Sequence, residues 1–282
     1  MAQKPYRKYR GGLPHPFIRP TRWEEDKHPA KISVSSEKGS RYEQEDRYLV
    51  DEWTSLSGPE ITVLAVMDGH NGTNAVDTVS GNLAFYLELG LKETEGNIGE
   101  GLRAAIRYLS SATEHENSGT TLSLVVISAG EMVAHVAVIG DSPVFIQNQQ
   151  GEIFLIPDHN ALTDIAGRKA AESRGAIYDR NGYLRDPQTG TRLQMSRVLG
   201  DGDIPFVGRE PDIYELRLSA DAFVVVASDG IFDSSVKTKE DKLRQVRYIA
   251  DMVKAGADAA ALTTDALARG SGDNITAIVY RS

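Results

Sequence analysis

Short apolar runs bounded by Gly, Pro, Asn or Asp recur along the chain. They predict strands over Ile32–Ser36, Arg47–Asp51, Ile61–Met67, Thr121–Ser128, Met132–Ile139, Val144–Gln147, Ile153–Ile156, Ile213–Leu218, Ala222–Ala227 and Ile275–Tyr280. Leu, Ile, Ala and Val spaced three and four residues apart predict helices over Asn74–Leu91, Gly99–Thr113, Asp164–Arg174, Lys239–Ala255 and Ala257–Ala268. The loop Ala129-Gly130-Glu131 has hairpin length, which favours antiparallel pairing of its flanking strands and counts against a doubly wound parallel sheet. Many strands joined by short turns, with helices in adjacent pairs, predict an α+β fold: a β-sandwich of two mostly antiparallel sheets flanked by helix pairs. No break divides residues 31–282, which read as one domain behind an extension over residues 1–30.

Several apolar runs stop on an acid. LAVMDGHNG (64–72), HVAVIGDS (135–142) and FVVVASDG (223–230) place Asp68, Asp141 and Asp229 at strand ends, and Asp273 lies just before the strand that starts at Ile275. One such residue is most simply a turn former, since Asp-Gly is a common turn dipeptide. Four could meet at one rim of a sandwich. A buried carboxylate needs a partner, and carboxylates that cluster repel one another unless cations sit between them. Zero cysteine leaves only oxygen and imidazole donors, which favours a hard cation such as Mg²⁺ or Mn²⁺. Two such ions could activate water and clamp a phosphoryl group for in-line displacement, which points to phosphoester hydrolysis. Arg41 of RYEQED (41–46) offers a phosphate anchor, Glu45 and Asp46 stand close enough to join the metals, and His70 offers an acid for the leaving group.

Composition narrows the partners. The formal charge of −9 argues against nucleic acid, and the lack of a long apolar run or a secretory h-region argues against a membrane span and for an intracellular, cytoplasmic setting, with the nucleus the alternative. Six basic side chains and no acid lie within residues 1–22, leaving −15 on the rest. The simplest reading of this arm is a basic segment lying along the acidic body, with partner docking or targeting the sharper one. Its five prolines break any continuous amphipathic helix.

In this order the motifs resemble the metal-dependent Ser/Thr protein phosphatases of type 2C, the PPM family. Besides RYEQED and VMDGHNG, the likeness takes in SGTTLSLVVI (118–127), VIGDS (138–142), SRVLGD (196–201), VVVASDGIFD (224–233) and GSGDNITAIVY (270–280). It implies a four-layer αββα fold and a phosphoserine/phosphothreonine phosphatase that acts on phosphorylated proteins as a monomer. It further implies that Asp68 bridges two Mn²⁺ or Mg²⁺ ions, with Asp229 and Asp273 completing one and Glu45 plus the Gly69 carbonyl the other. Asp46 would orient the metal-bound waters, Arg41 would hold the substrate phosphate, and His70 would protonate the departing alkoxide. Asp141 and Asp233 match a weaker third metal position.

The chain departs from the family pattern at two points. Asn71-Gly72 replaces the usual Gly-Gly, a benign change because Asn tolerates left-handed backbone. Pro143 replaces the Arg that commonly follows Gly-Asp-Ser, removing a cation beside Asp141 and putting the third metal in doubt. Segment 159–200 corresponds to the variable flap, whose Arg168, Arg174, Arg180, Arg185, Arg192 and Arg197 read either as solvated surface or as a dock for acidic substrate. The alternative from another class is a catalytically dead scaffold, whose mark would be lost ligands; none of the expected ones is missing. G-x-S-x-G, Walker A and H-E-x-x-H motifs are absent.

Overall fold

The computed structural model describes residues 31–54, 60–128, 130–233 and 235–282; the basic extension read over residues 1–30 lies outside them. Ten principal strands follow the apolar runs: β1 (Ile32–Glu37), β2 (Arg47–Thr54), β3 (Glu60–Met67), β4 (Leu122–Ser128), β5 (Val133–Ile139), β6 (Val144–Gln147), β7 (Ile153–Leu155), β8 (Asp212–Arg217), β9 (Phe223–Ala227) and β10 (Ile275–Arg281). They form two five-stranded sheets, ordered β1-β10-β9-β6-β7 and β8-β5-β4-β3-β2, in which every neighbour pair is antiparallel. The helices are α1 (Asn74–Glu93), α2 (Ile98–Ala112), α3 (Ile165–Ser173), α4 (Lys239–Lys254) and α5 (Ala259–Ala268).

Successive strand residues face opposite sides, and here both sides are covered. Leu64, Val66, Val125 and Val136 meet Val144, Val224, Val226 and Ile278 between the sheets. Their neighbours Val63, Ala65, Met67 and Leu124 pack outward under Leu83, Leu87, Leu102 and Ile106 of α1 and α2. On the far side Phe145, Val225, Ala277 and Val279 pack under Val246, Ile249, Val253 and Leu262 of α4 and α5. This double burial is why β3 and β9 read as unbroken apolar runs, and it yields the four layers of helix pair, sheet, sheet and helix pair.

Helix starts are fixed locally. Asn97, Asp164 and Asp258 each accept a backbone N–H three residues on, and Thr238 and Asp241 form a reciprocal capping box at α4. The antiparallel pair α1 and α2 comes so close at Gly90 that a Cβ there would stand 2.4 Å from the Gly101 carbonyl oxygen.

Two small sheets were not legible as apolar runs, because their strands are two residues long. One lies in the flap (Ile177–Tyr178, Leu184–Arg185, Arg192–Leu193), over its own cluster of Ala161, Ala171, Leu184, Val198 and Phe206. The other joins Gly69–His70, Gly119–Thr120 and Leu199–Gly200. Among the described residues no helix is long and apolar enough to cross a membrane.

Candidate active site

The register brings the acids together. Met67 pairs with Arg47, Ile139 with Leu122, and Ala227 with Ala277, so the C-terminal ends of β3, β5 and β9 share one rim with the starts of β2, β4 and β10. Asp68, Asp141 and Asp229 leave that rim one or two residues beyond their strands, and Asp273 arrives there just before β10. A cleft of about 180 Å³ opens onto Arg41, Asp68, Gly69, His70, Asp141, Asp229 and Asp273. It shares Asp141, Asp229 and Asp273 with a larger cleft of about 740 Å³ that runs between the flap and the start of α4.

Backbone and amide contacts hold the rim. The Asp68 amide donates to Thr121 Oγ1 at 3.0 Å and its carbonyl accepts from Thr121 N at 2.9 Å. Asn274 ties RYEQED to β10: its Oδ1 accepts from Glu45 N at 2.8 Å while its Nδ2 donates to the Lys38 and Glu43 carbonyls at 2.9 Å. Asn71 takes the left-handed backbone expected of it, with φ 60°.

The electrostatics are those of crowded carboxylates. Burial, then the charges of Asp46, Asp229, Asp141 and Asp273, push Asp68 well above the usual carboxylate range. Burial followed by Asp141 and Asp273 pushes Asp229 up to about 8. Asp46 sits behind the rim and burial raises it to about 6, opposed by the Ser228 hydroxyl, which donates to its Oδ2 at 2.8 Å. Its Oδ1 is buried with no hydrogen-bond partner.

Not every expected ligand faces the same point. Glu45 Oε1 accepts from Gly72 N at 2.7 Å, and Asp273 accepts from the exposed Arg41 guanidinium at 2.8 Å. Asp233 is turned to Arg269, 3.0 Å away. Among the described residues no three His, Asp or Glu side chains stand gathered as a ready-made metal-binding group. Mutually repelling carboxylates turn to whatever N–H donors are at hand. The donor set nevertheless fits a hard divalent cation: it is all oxygen, its acids raise one another, and a buried carboxylate oxygen of Asp46 lacks a partner.

His70 has a partner that sequence reasoning missed. Its Nε2–H donates to Asp201 Oδ2 at 2.7 Å, and Asp201 is fully buried. The small sheet places the pair, since His70 and Leu199–Gly200 flank Gly119–Thr120. A Cβ on Gly119 would stand 2.4 Å from His70 Nε2 and 2.5 Å from Asp201 Oδ2, so only glycine lets the two meet. SRVLGD carried this residue in plain view; nothing in its spacing tied it to His70.

Four of the flap arginines are tied to partners within the protein. Arg168 covers the Tyr178 ring at 4.3 Å, Arg174 donates to the Phe206 carbonyl, Arg192 pairs with Asp179 and covers Tyr183, and Arg197 pairs with Asp212. Each of these four has a partner within the protein, and Arg192 also lines the smaller cleft. Arg180 lines the larger cleft.

Residues 30–275 match the family model described as protein phosphatase 2C. "Probable protein phosphatase 2C 11" of Arabidopsis thaliana is 30% identical over 256 residues, 88% of this chain and 65% of that protein. "Probable protein phosphatase 2C member 13, mitochondrial" of Oryza sativa subsp. japonica is 31% identical over 269 residues, covering 92% and 70%. The chain thus spans about two thirds of the length of these curated relatives. The crystal structure of a serine-threonine phosphatase 2C from Toxoplasma gondii shares the fold, with a TM-score of 0.73 at 18% identity over 91% of this chain and 96% of that one. On the family match and the shared architecture together, this chain belongs to the protein phosphatase 2C family.

Proposed function

We propose that the chain hydrolyses phosphoserine and phosphothreonine in proteins, using two Mn²⁺ or Mg²⁺ ions held at the carboxylate rim. The observation that carries this reading is the convergence of Asp68, Asp141, Asp229 and Asp273 from separate strand ends on one cleft that also holds Arg41 and His70. Asp68 would be shared between the ions, Asp229 and Asp273 would complete one set, and Glu45 with the Gly69 carbonyl the other. When bound, the ions would supply an activated water and neutralise charge on the phosphoryl oxygens.

The chain's own residues do the rest. Arg41, exposed and paired only at the surface with Asp273, can swing to grip two phosphate oxygens at once. Asp46, behind the rim with an unshared oxygen, orients water from below. With Nε2–H committed to Asp201, a doubly protonated His70 would have its Nδ1–H to give to the departing alkoxide. The full chain should release phosphate from a phosphothreonine peptide in Mn²⁺ and stop when chelator removes the metal; turnover that survives chelation would count against the reading, and no turnover in Mn²⁺ would favour the scaffold alternative.

A further inference from the structure

The mechanism leaves one buried charge unused. Lys242, in the first turns of α4, is 7% exposed at its side chain and pairs with Asp158, itself 5% exposed. Its ammonium also lies over the Phe232 ring, 5.3 Å from the centroid. Asp158 is held in turn by Thr163, whose hydroxyl donates at 2.9 Å, and by the Asn160 amide at 3.2 Å. Asn160 then reaches the rim, its Nδ2 donating to Asp141 Oδ2 at 2.8 Å. Lys242, Asn160, Asp141, Asp229 and Asp233 all line the larger cleft.

A second cation serves the remaining acid. Asp233 accepts from Arg269 Nη1 at 3.0 Å and from Ser235 N at 2.8 Å. Arg269 is itself fixed by Asp265 at 2.7 Å and by the Ile231 carbonyl at 2.9 Å. So each acid offered by the sequence for a third ion already has a partner, and Asp233 is turned to Arg269. The cation lost at Pro143 is replaced from a different element.

We infer that Lys242 and Arg269 stand in for a third divalent cation, so that this chain binds metal at the two central positions only. The inference rests on the proposed two-ion reading. An ammonium tethered by α4 neutralises Asp141 and Asp229 without dissociating, and it repels any divalent ion brought beside it. Although burial alone would lower it, Asp158 and Asp141 hold the Lys242 amine above its ordinary pKa, so it stays charged.

The test counts ions rather than turnover. Equilibrium dialysis of the full chain against Mn²⁺, with free ion read by its paramagnetic resonance signal, should saturate at two per wild-type chain. Lys242→Met combined with Asp158→Asn removes the ammonium together with its ion-pair partner and leaves Asp141 and Asp229 to attract a cation; this variant, or the same variant carrying Arg269→Gln, should take up one further and weaker ion. Cooperative melting of each variant shows that it is folded. A wild-type count of three, or no added ion in either folded variant, overturns the inference. A wild-type count below two instead overturns the two-ion reading, a separate failure visible in the same titration.

Discussion

His70 sits at the edge of the cleft with one ring nitrogen committed to Asp201 at 2.7 Å. A buried carboxylate in that place fixes the ring's orientation, which a proton donor needs before it can act on a leaving group. His70→Ala should therefore cost about 10²–10⁴-fold in turnover of a phosphothreonine peptide. The loss on p-nitrophenyl phosphate, whose leaving group needs no proton, should be far smaller. Asp201→Asn should show the same selectivity on a smaller scale, about tenfold on the peptide, as expected for losing a charge-assisted hydrogen bond. Equal losses on both substrates would contradict the donor role. At this scale the sequence spoke unevenly: Asp68 and Asp229 were visible because each ends an apolar run, and Asp273 because it stands just before one. Asp201 was not, because it lies 131 positions from His70 and only a two-residue strand joins them. Lys242 was hidden in the same way, 84 positions from Asp158 and inside a helix whose polar residues read as solvated surface.

Among the elements, the ten strands and five helices fall where the apolar pattern put them, with ends shifted by a few residues. Strands covered on both faces and helices with one buried stripe leave strong periodic signals. The flap does not, since its strands are two residues long and it is held by a small apolar cluster together with arginines stacked on tyrosines. Asp212, the first residue of β8, anchors the flap's root by accepting from His159 Nε2 at 3.2 Å and Arg197 Nη1 at 2.9 Å. The His159 hydrogen bond above all, with Arg197 adding to it against partial burial, holds the Asp212 carboxyl at about 2. A carboxyl depressed in the folded state adds stability above its unfolded value near 3.9, and that contribution disappears as pH falls through about 2. Asp212→Asn should accordingly melt below wild type at neutral pH, and the gap should shrink between about pH 4 and pH 2. A gap that stays constant across that window would show that the pair adds nothing through its charge.

For the molecule as a whole, the sandwich explains why the acids meet. Antiparallel pairing sends alternate strands out through the same end, so Asp68, Asp141 and Asp229 share a rim although β4, α1 and α2 intervene between the first two in sequence. The two helix pairs cover the outer faces and leave that rim open, walled by the flap and the start of α4. Carboxylates are concentrated at this rim, where they raise one another's pKa and call for a cation. The central claim is that this rim is a metal-dependent phosphatase site organised around Asp68. The most direct measurement is Mn²⁺-dependent phosphate release from a phosphothreonine peptide by wild type and by Asp68→Asn, with melting curves for both. The account predicts steady turnover by wild type and a loss of at least about a hundredfold in the variant, the order expected when a metal's surroundings are disrupted, with the fold retained. Undiminished turnover by a folded Asp68→Asn chain would contradict it.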